Sequence, residues 1–154
     1  MQILLNQNEK SSIPARATRG SLGYDLTISE KIVLSNHETI VAPTGLKLAT
    51  DMPYALDSIV PSGLGMFILP RSSLILKYGL VVGNSPGLVD PDYTDEIRII
   101  LHKIPVVGVP DTIELEAGTR VAQAVFINCY FPYINITECV DSSRTNRSGF
   151  GSTG

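Results

Sequence analysis

The chain has 154 residues, 44% of them hydrophobic and 18% charged, with a formal net charge of −3. That length suits one domain with its own core, and the composition excludes a disordered or fibrous chain. The acidic balance excludes a general nucleic-acid binder, which carries a basic stripe, but not a phosphate ligand held by a few arginines.

Short β-branched or alternating runs predict strands at ILL (3–5), KIVL (31–34), TIVA (39–42), LKLA (46–49), MFIL (66–69) and EIRIIL (96–101). Three more follow at TIELE (112–116), RVAQAVF (120–126) and YINITECV (133–140). Pro43, Gly45, Pro53, Gly63, Pro70, Gly83, Pro110 and Gly118 punctuate these runs. Roughly ten strands at this spacing predict an all-β sandwich or barrel. A sustained 3.6-residue apolar period is missing, and MPYALDSI (52–59) is the nearest helical candidate, one or two turns long. The last stretch, SSRTNRSGFGSTG (142–154), has Phe150 as its single apolar side chain. It is expected to be a mobile arm attached to a domain of residues 1–141, because it buries too little surface to fold alone.

No apolar run is long enough to cross a bilayer, and MQILLNQNEK does not read as a signal peptide, so no membrane association is expected and cytoplasm is the expected location. Cys129, Cys139, His37 and His102 form neither a disulfide framework nor a set with zinc-ligand spacing. The sequons at Asn135 and Asn146 would matter only in a secreted protein.

Five segments carry candidate chemistry. In LGYDL (22–26), Gly23 suggests a tight strand entry and Asp25 points away from the core; taken alone, a strand edge with a solvated Asp is the favoured reading. In LPRSSL (69–74), Arg71 offers a planar fork of donors, and Ser72 and Ser73 add hydroxyls, a combination suited to phosphate oxygens. In GNSPGLVDPDYTDEI (83–97), Asp90 precedes Pro91, which biases it toward extended backbone next to Tyr93. A fixed carboxylate beside an aromatic platform suits a general base; taken alone, Asp90 and Asp92 read as turn formers. In GTRVAQAVF (118–126), Gln123 lies in an apolar run and must find hydrogen bonds, structural or to a ligand. The tail places Arg144, Arg147 and Phe150 among glycines, serines and threonines, the makings of a lid over a phosphorylated base.

In this order and spacing, LGYDL, PRSSL, GLVDPDYTDEI, GTRVAQ and RSGFGSTG resemble the five motifs of the trimeric dUTPase family, from about Leu22 to Gly154. The resemblance implies a jelly-roll-like β-fold, a homotrimer with active sites at subunit interfaces, and Mg²⁺-dependent hydrolysis of dUTP to dUMP and pyrophosphate. It implies that Asp90 activates the water that attacks the α-phosphorus, and that Tyr93 packs under the deoxyribose and leaves no room for a 2′-hydroxyl. Asn84, Gly87 and the backbone of Leu88 and Val89 would read the uracil edge. Arg71, Ser72 and Ser73 would hold phosphate oxygens, and Arg98 is a further substrate-binding candidate. Asp25 and Gln123 would meet the metal through water, Mg²⁺ itself being held mainly by phosphates. Arg147, Phe150, Gly151, Ser152 and Thr153 would close over the base and γ-phosphate.

Four positions depart from the family pattern. Leu22 replaces a small residue, Asp95 stands where glycine is usual, and MPYALDSIVPSGLG (52–65) is longer than the usual turn and suggests an extra surface loop. Thr145 occupies the usual position of the arginine before the last motif, so Arg147, with Arg144 as the fallback, takes that role. The related dCTP deaminases share the fold and the Arg-Ser-Ser motif but need a glutamate where this chain has Ile100, and they are disfavoured. A catalytically idle, protein-binding relative is the second alternative; the retention of Asp90, Tyr93, Arg71, Asn84 and Phe150 together speaks against it.

Overall fold

A computed structural model describes residues 5–7, 12–48 and 52–136. Among them run eleven strands and one short helix: β1 (Leu5–Gln7), β2 (Tyr24–Thr27), β3 (Ile32–Ser35), β4 (Thr39–Leu48), β5 (Tyr54–Ala55), β6 (Ser62–Pro70), α1 (Leu74–Tyr78), β7 (Leu80–Val82), β8 (Gly87–Val89), β9 (Glu96–Lys103), β10 (Thr112–Leu115) and β11 (Arg120–Tyr130). All strand pairings between these elements are antiparallel. One sheet has the order β1-β4-β9-β7, a second β2-β11-β6-β5 with β8 also on β6, and β10 pairs with β3 as a ribbon. This is the expected all-β, jelly-roll-like fold, in which sequence-distant strands lie side by side.

The alternating runs explain the layering. Along β9 every second side chain (Ile97, Ile99, Leu101) is buried, while Arg98 faces solvent. On β6, Leu64, Met66 and Ile68 turn into the same core, and Leu26, Ile28, Leu34, Leu46 and Leu80 join it. Each such side chain taken from water contributes about 1.5–3 kcal/mol.

Several predicted elements change on folding. The run TIVA and residues 46–48 of LKLA are one strand, β4, which passes Pro43-Thr44-Gly45 through a register shift opposite β9. Side chains replace the interrupted ladder: Thr44 Oγ1 donates to the Ile97 carbonyl and accepts from Leu46 N–H, and Glu96 accepts the Gly45 N–H at 2.7 Å. The helical candidate at 52–59 is not helical. Met52 is buried, Tyr54–Ala55 pairs with Ser62–Gly63, and the exposed loop between them covers only residues 56–60. The anticipated surface loop at 52–65 is therefore a β-hairpin whose first residue belongs to the core. The helix that does form starts at Leu74, the last residue of PRSSL, and is closed by Gly79 with a left-handed φ of 63°. Residues 133–136 of the expected strand YINITECV carry no regular structure, and the rest of that run lies outside the described residues.

Candidate active site

Asp25, Arg71 and Gln123 come together at one end of the second sheet. Gln123 of β11 lies opposite both Asp25 of β2 and Leu69 of β6. Arg71 follows directly after β6. Its Nε donates to Asp25 Oδ1 at 2.8 Å. The second oxygen, Oδ2, accepts from Arg120 Nη1 at 3.1 Å. Gln123 Nε2 donates to the Pro70 carbonyl at 2.9 Å. Gly23 makes room for this amide: a Cβ there would lie 2.1 Å from Gln123 Oε1. Ser72 is exposed, and Ser73 starts α1 without a side-chain capping bond, so neither hydroxyl is committed within the described residues.

The segment carrying Asn84 and Asp90 bridges the two sheets. β7 pairs with β9, whereas β8 pairs with β6, placing Gly87 opposite Ile68 and Val89 opposite Met66. Between them Asn84 folds back over Gly87, its amide nitrogen 3.2 Å from where a Cβ would stand, so a side chain at 87 would press on that amide. Leu88 is exposed and Val89 buried. Asp90 is exposed, and among the described residues its carboxylate has no hydrogen-bond or salt-bridge partner. Its backbone is held instead, since Tyr93 N–H donates to the Asp90 carbonyl at 3.2 Å and Met52 N–H to the Pro91 carbonyl at 2.7 Å. Tyr93 is pinned by its hydroxyl, which donates to the Glu96 carbonyl at 3.1 Å. Glu96 also accepts Arg98 Nε at 3.0 Å, so Arg98 is joined to Tyr93 through that residue. Asp95 turns to the β4 side, with Lys47 at 3.8 Å and the Glu96 N–H on Oδ1 at 2.7 Å.

These two groups of residues are not in contact within one chain. From Val89's partner Met66 to Arg71, with Asp90 one residue beyond Val89, there are six steps of about 3.3 Å each, roughly 20 Å. Between them the outer face of the sheet carries Leu69, Phe67, Val125, Leu88 and Ile127, of which Leu88 and Ile127 are exposed. Arg144, Thr145, Arg147, Phe150, Gly151, Ser152 and Thr153 lie outside the described residues. Arg120 and Glu96 are the residues that sequence reasoning passed over. Arg120 sits within the quoted GTRVAQ and could have been noticed as a second cation three positions before Gln123.

No set of three or more His, Cys, Asp or Glu side chains among the described residues could hold a metal ion directly. The clear pKa shifts lie on the far ribbon. A hydrogen bond to Glu114 raises the Lys31 ammonium above its ordinary value, and the same bond holds Glu114 below the usual carboxylate range. No helix among the described residues is long and apolar enough to cross a membrane.

Known proteins bear on this arrangement. A family model described as dUTPase matches residues 9–154. The deoxyuridine 5′-triphosphate nucleotidohydrolase of Sodalis glossinidius is 36% identical over 148 residues, 95% of this chain and 89% of the relative. That of Wolinella succinogenes is 34% identical, covering 98% and 92%. Among solved structures, a point mutant of the Staphylococcus bacteriophage 80alpha dUTPase with dUpNHpp superposes with a TM-score of 0.79 at 21% identity, covering 99% and 98% of the two chains. A mutant dUTPase of phage phi11, described with a structural Mg(II) ion, superposes with a TM-score of 0.74 at 20% identity, covering 92% and 100%. At that identity the structures speak for the fold alone. The family match over nearly the whole chain and the curated relatives above 30% identity say more: the chain belongs to the dUTPase family.

Proposed function

We propose that this chain hydrolyses dUTP to dUMP and pyrophosphate, with Asp90 as the base. In this reading it keeps uracil out of DNA, supplies dUMP for thymidylate synthesis and acts in the cytoplasm. The observation that carries the reading is the contrast between an uncommitted carboxylate at Asp90 and a prearranged pair of cations at Arg71 and Arg120. Asp90 takes a proton from a water whose oxygen forms the new bond to the α-phosphorus. The bond from that phosphorus to the α–β bridging oxygen breaks, and pyrophosphate leaves. A positioned base of this kind contributes about 10²–10⁴ in rate. Arg71, Ser72 and Ser73 hold phosphate oxygens. Asn84, folded over Gly87, reads the uracil edge with the backbone of Leu88 and Val89, and Tyr93, pinned through Glu96, supports the deoxyribose. Arg98 steadies that side through the same glutamate. From the arm, Arg147 meets the γ-phosphate, Phe150 covers the base, and Gly151, Ser152 and Thr153 close the site against water.

The donor set fits Mg²⁺ brought in by the substrate. Asp25 spends both oxygens on guanidinium groups, so it offers no bare carboxylate, whereas Mg²⁺ keeps several waters and binds phosphate oxygens. Asp25 and Gln123 would meet that water shell. When bound, the ion neutralises charge on the triphosphate.

The separation of Asp90 from Arg71 within one chain supports a homotrimer in which each site takes its phosphate-holding residues from one chain and its base from another. The apolar outer face between them, with Leu88 and Ile127 exposed, is a surface suited to a second copy. The direct test is release of pyrophosphate from dUTP with Mg²⁺, against dCTP as the control. Turnover of dUTP with no ammonia from dCTP is expected; absence of pyrophosphate would remove the reading.

A further inference from the structure

We infer that Arg120 is a positioning residue of the phosphate-holding end: by occupying Asp25 Oδ2 it keeps the outer nitrogens of Arg71 free for the triphosphate. This rests on the dUTP-hydrolysing reading above and goes beyond it by assigning a role to a residue outside the expected set.

Arg120 and Gln123 are three residues apart, and in a regular strand they would face opposite sides of the sheet. The pairing of β11 with β2 shifts between Arg120 and Ala122: Arg120 lies opposite Thr27, Ala122 opposite Leu26 and Gln123 opposite Asp25. Val121 is the extra residue, and it is buried together with its neighbour Ala122, which a bulge accommodates and simple alternation does not. The bulge turns Arg120 to the Asp25 side, beside Gln123.

An arginine facing a lone carboxylate commonly clamps it with two nitrogens on two oxygens. Here the two oxygens are divided between two arginines, Arg71 Nε on Oδ1 at 2.8 Å and Arg120 Nη1 on Oδ2 at 3.1 Å. Arg71 therefore spends only Nε, and its two Nη groups have no protein acceptor among the described residues. The Asp25 side chain is 15% exposed, Arg71 26% and Arg120 57%, so the carboxylate lies beneath two cations that open toward solvent. Two guanidinium groups and one carboxylate leave a local charge of +1 for a polyanion. Without Arg120, Oδ2 becomes an open acceptor beside Arg71. The two-nitrogen clamp then forms, withdraws one Nη from the ligand, and the local charge falls to zero.

The test uses the full chain and compares Arg120→Ala and Arg120→Lys with wild type in steady-state dUTP hydrolysis and thermal melting. For Arg120→Ala the KM for dUTP should rise by about tenfold while kcat stays within about threefold, because the group acts on phosphate binding and not on the base. Lysine, a point charge that can still hold Oδ2, should recover most of the lost KM. In an Asp25→Asn background the alanine change should add less than about twofold, since its effect runs through that carboxylate. Unchanged KM in an active wild-type background would overturn the role of Arg120 and leave the hydrolase reading standing. A loss of kcat that tracks a fall in Tm, without recovery by lysine, would overturn it as well, in favour of a bridge that only joins β11 to β2. A wild-type chain that does not turn over dUTP would overturn the hydrolase reading, and this inference with it.

Discussion

The two ends of the β11–β6–β8 face are organised in opposite ways. At one end Asp25, Arg71, Arg120 and Gln123 arrive from two strands, β2 and β11, and the turn after a third, β6, and each already has a protein partner. At the other end Asp90 has no side-chain partner among the described residues; its carbonyl accepts the Tyr93 N–H, and the Met52 N–H holds the next residue, Pro91. The tasks differ in the same sense. Holding a polyphosphate relies on donors placed beforehand, because organising them during the reaction would cost the barrier reduction they provide. A base must instead keep lone pairs free for a proton. Hydrogen-bonding commitment, more than closeness in sequence, separates the groups that position from the group proposed to react.

Four experiments test this contrast. Asp90→Asn should lower pyrophosphate release by about 10²–10⁴ while leaving dUTP affinity and Tm nearly unchanged, since among the described residues the side chain has no hydrogen-bond partner to lose. Retained turnover would take the base role from Asp90. Removing residues 144–154 should lower kcat/KM by about 10²-fold through poorer enclosure and placement of the substrate, read in the same assay alongside a melting curve. A large fall in Tm would instead make the arm part of the core structure. If sites are shared between chains, inactive Asp90→Asn and Arg71→Ala proteins, denatured together and refolded as a mixture, should regain activity. About a quarter of the wild-type value is expected, the statistical share of sites with both ends intact. No recovery in mixed oligomers would place each site within one chain. The smallest effect is expected from Gly23→Ala. Its Cβ would collide with the far end of the Gln123 side chain, which can swing away, so Tm should move by only about a degree or two while the KM for dUTP rises about threefold as the bond to Pro70 is lost.

Much of this was legible in the chain itself. Alternation along EIRIIL and TIELE placed β9 and β10 within a residue or two, because each has one buried and one solvated face. The turn-rich run around Asn84 concealed β7 and β8, since Gly, Pro and Asn mark a corner without revealing that the chain changes sheets there. Helix α1 spans five residues, too few to show a helical period, and MPYALDSI misled because its apolar spacing suits a short turn of helix as well as a hairpin entry. Arg120 was invisible to strict alternation, which assigns it to the wrong face.

The all-β class, the family and the residue types of the proposed site depend on local periodicity and on the order of motifs along the chain, and both can be read from one sequence. The tertiary structure decided which of those residues meet. Register across β2, β11 and β6 brings Asp25, Gln123 and Arg71 together and the bulge at Val121 adds Arg120, while pairing of β8 with the other end of β6 holds Asp90 away. The physical reason is that pairing and bulges are set by the burial of whole strands, a sum over distant residues that no single motif contains.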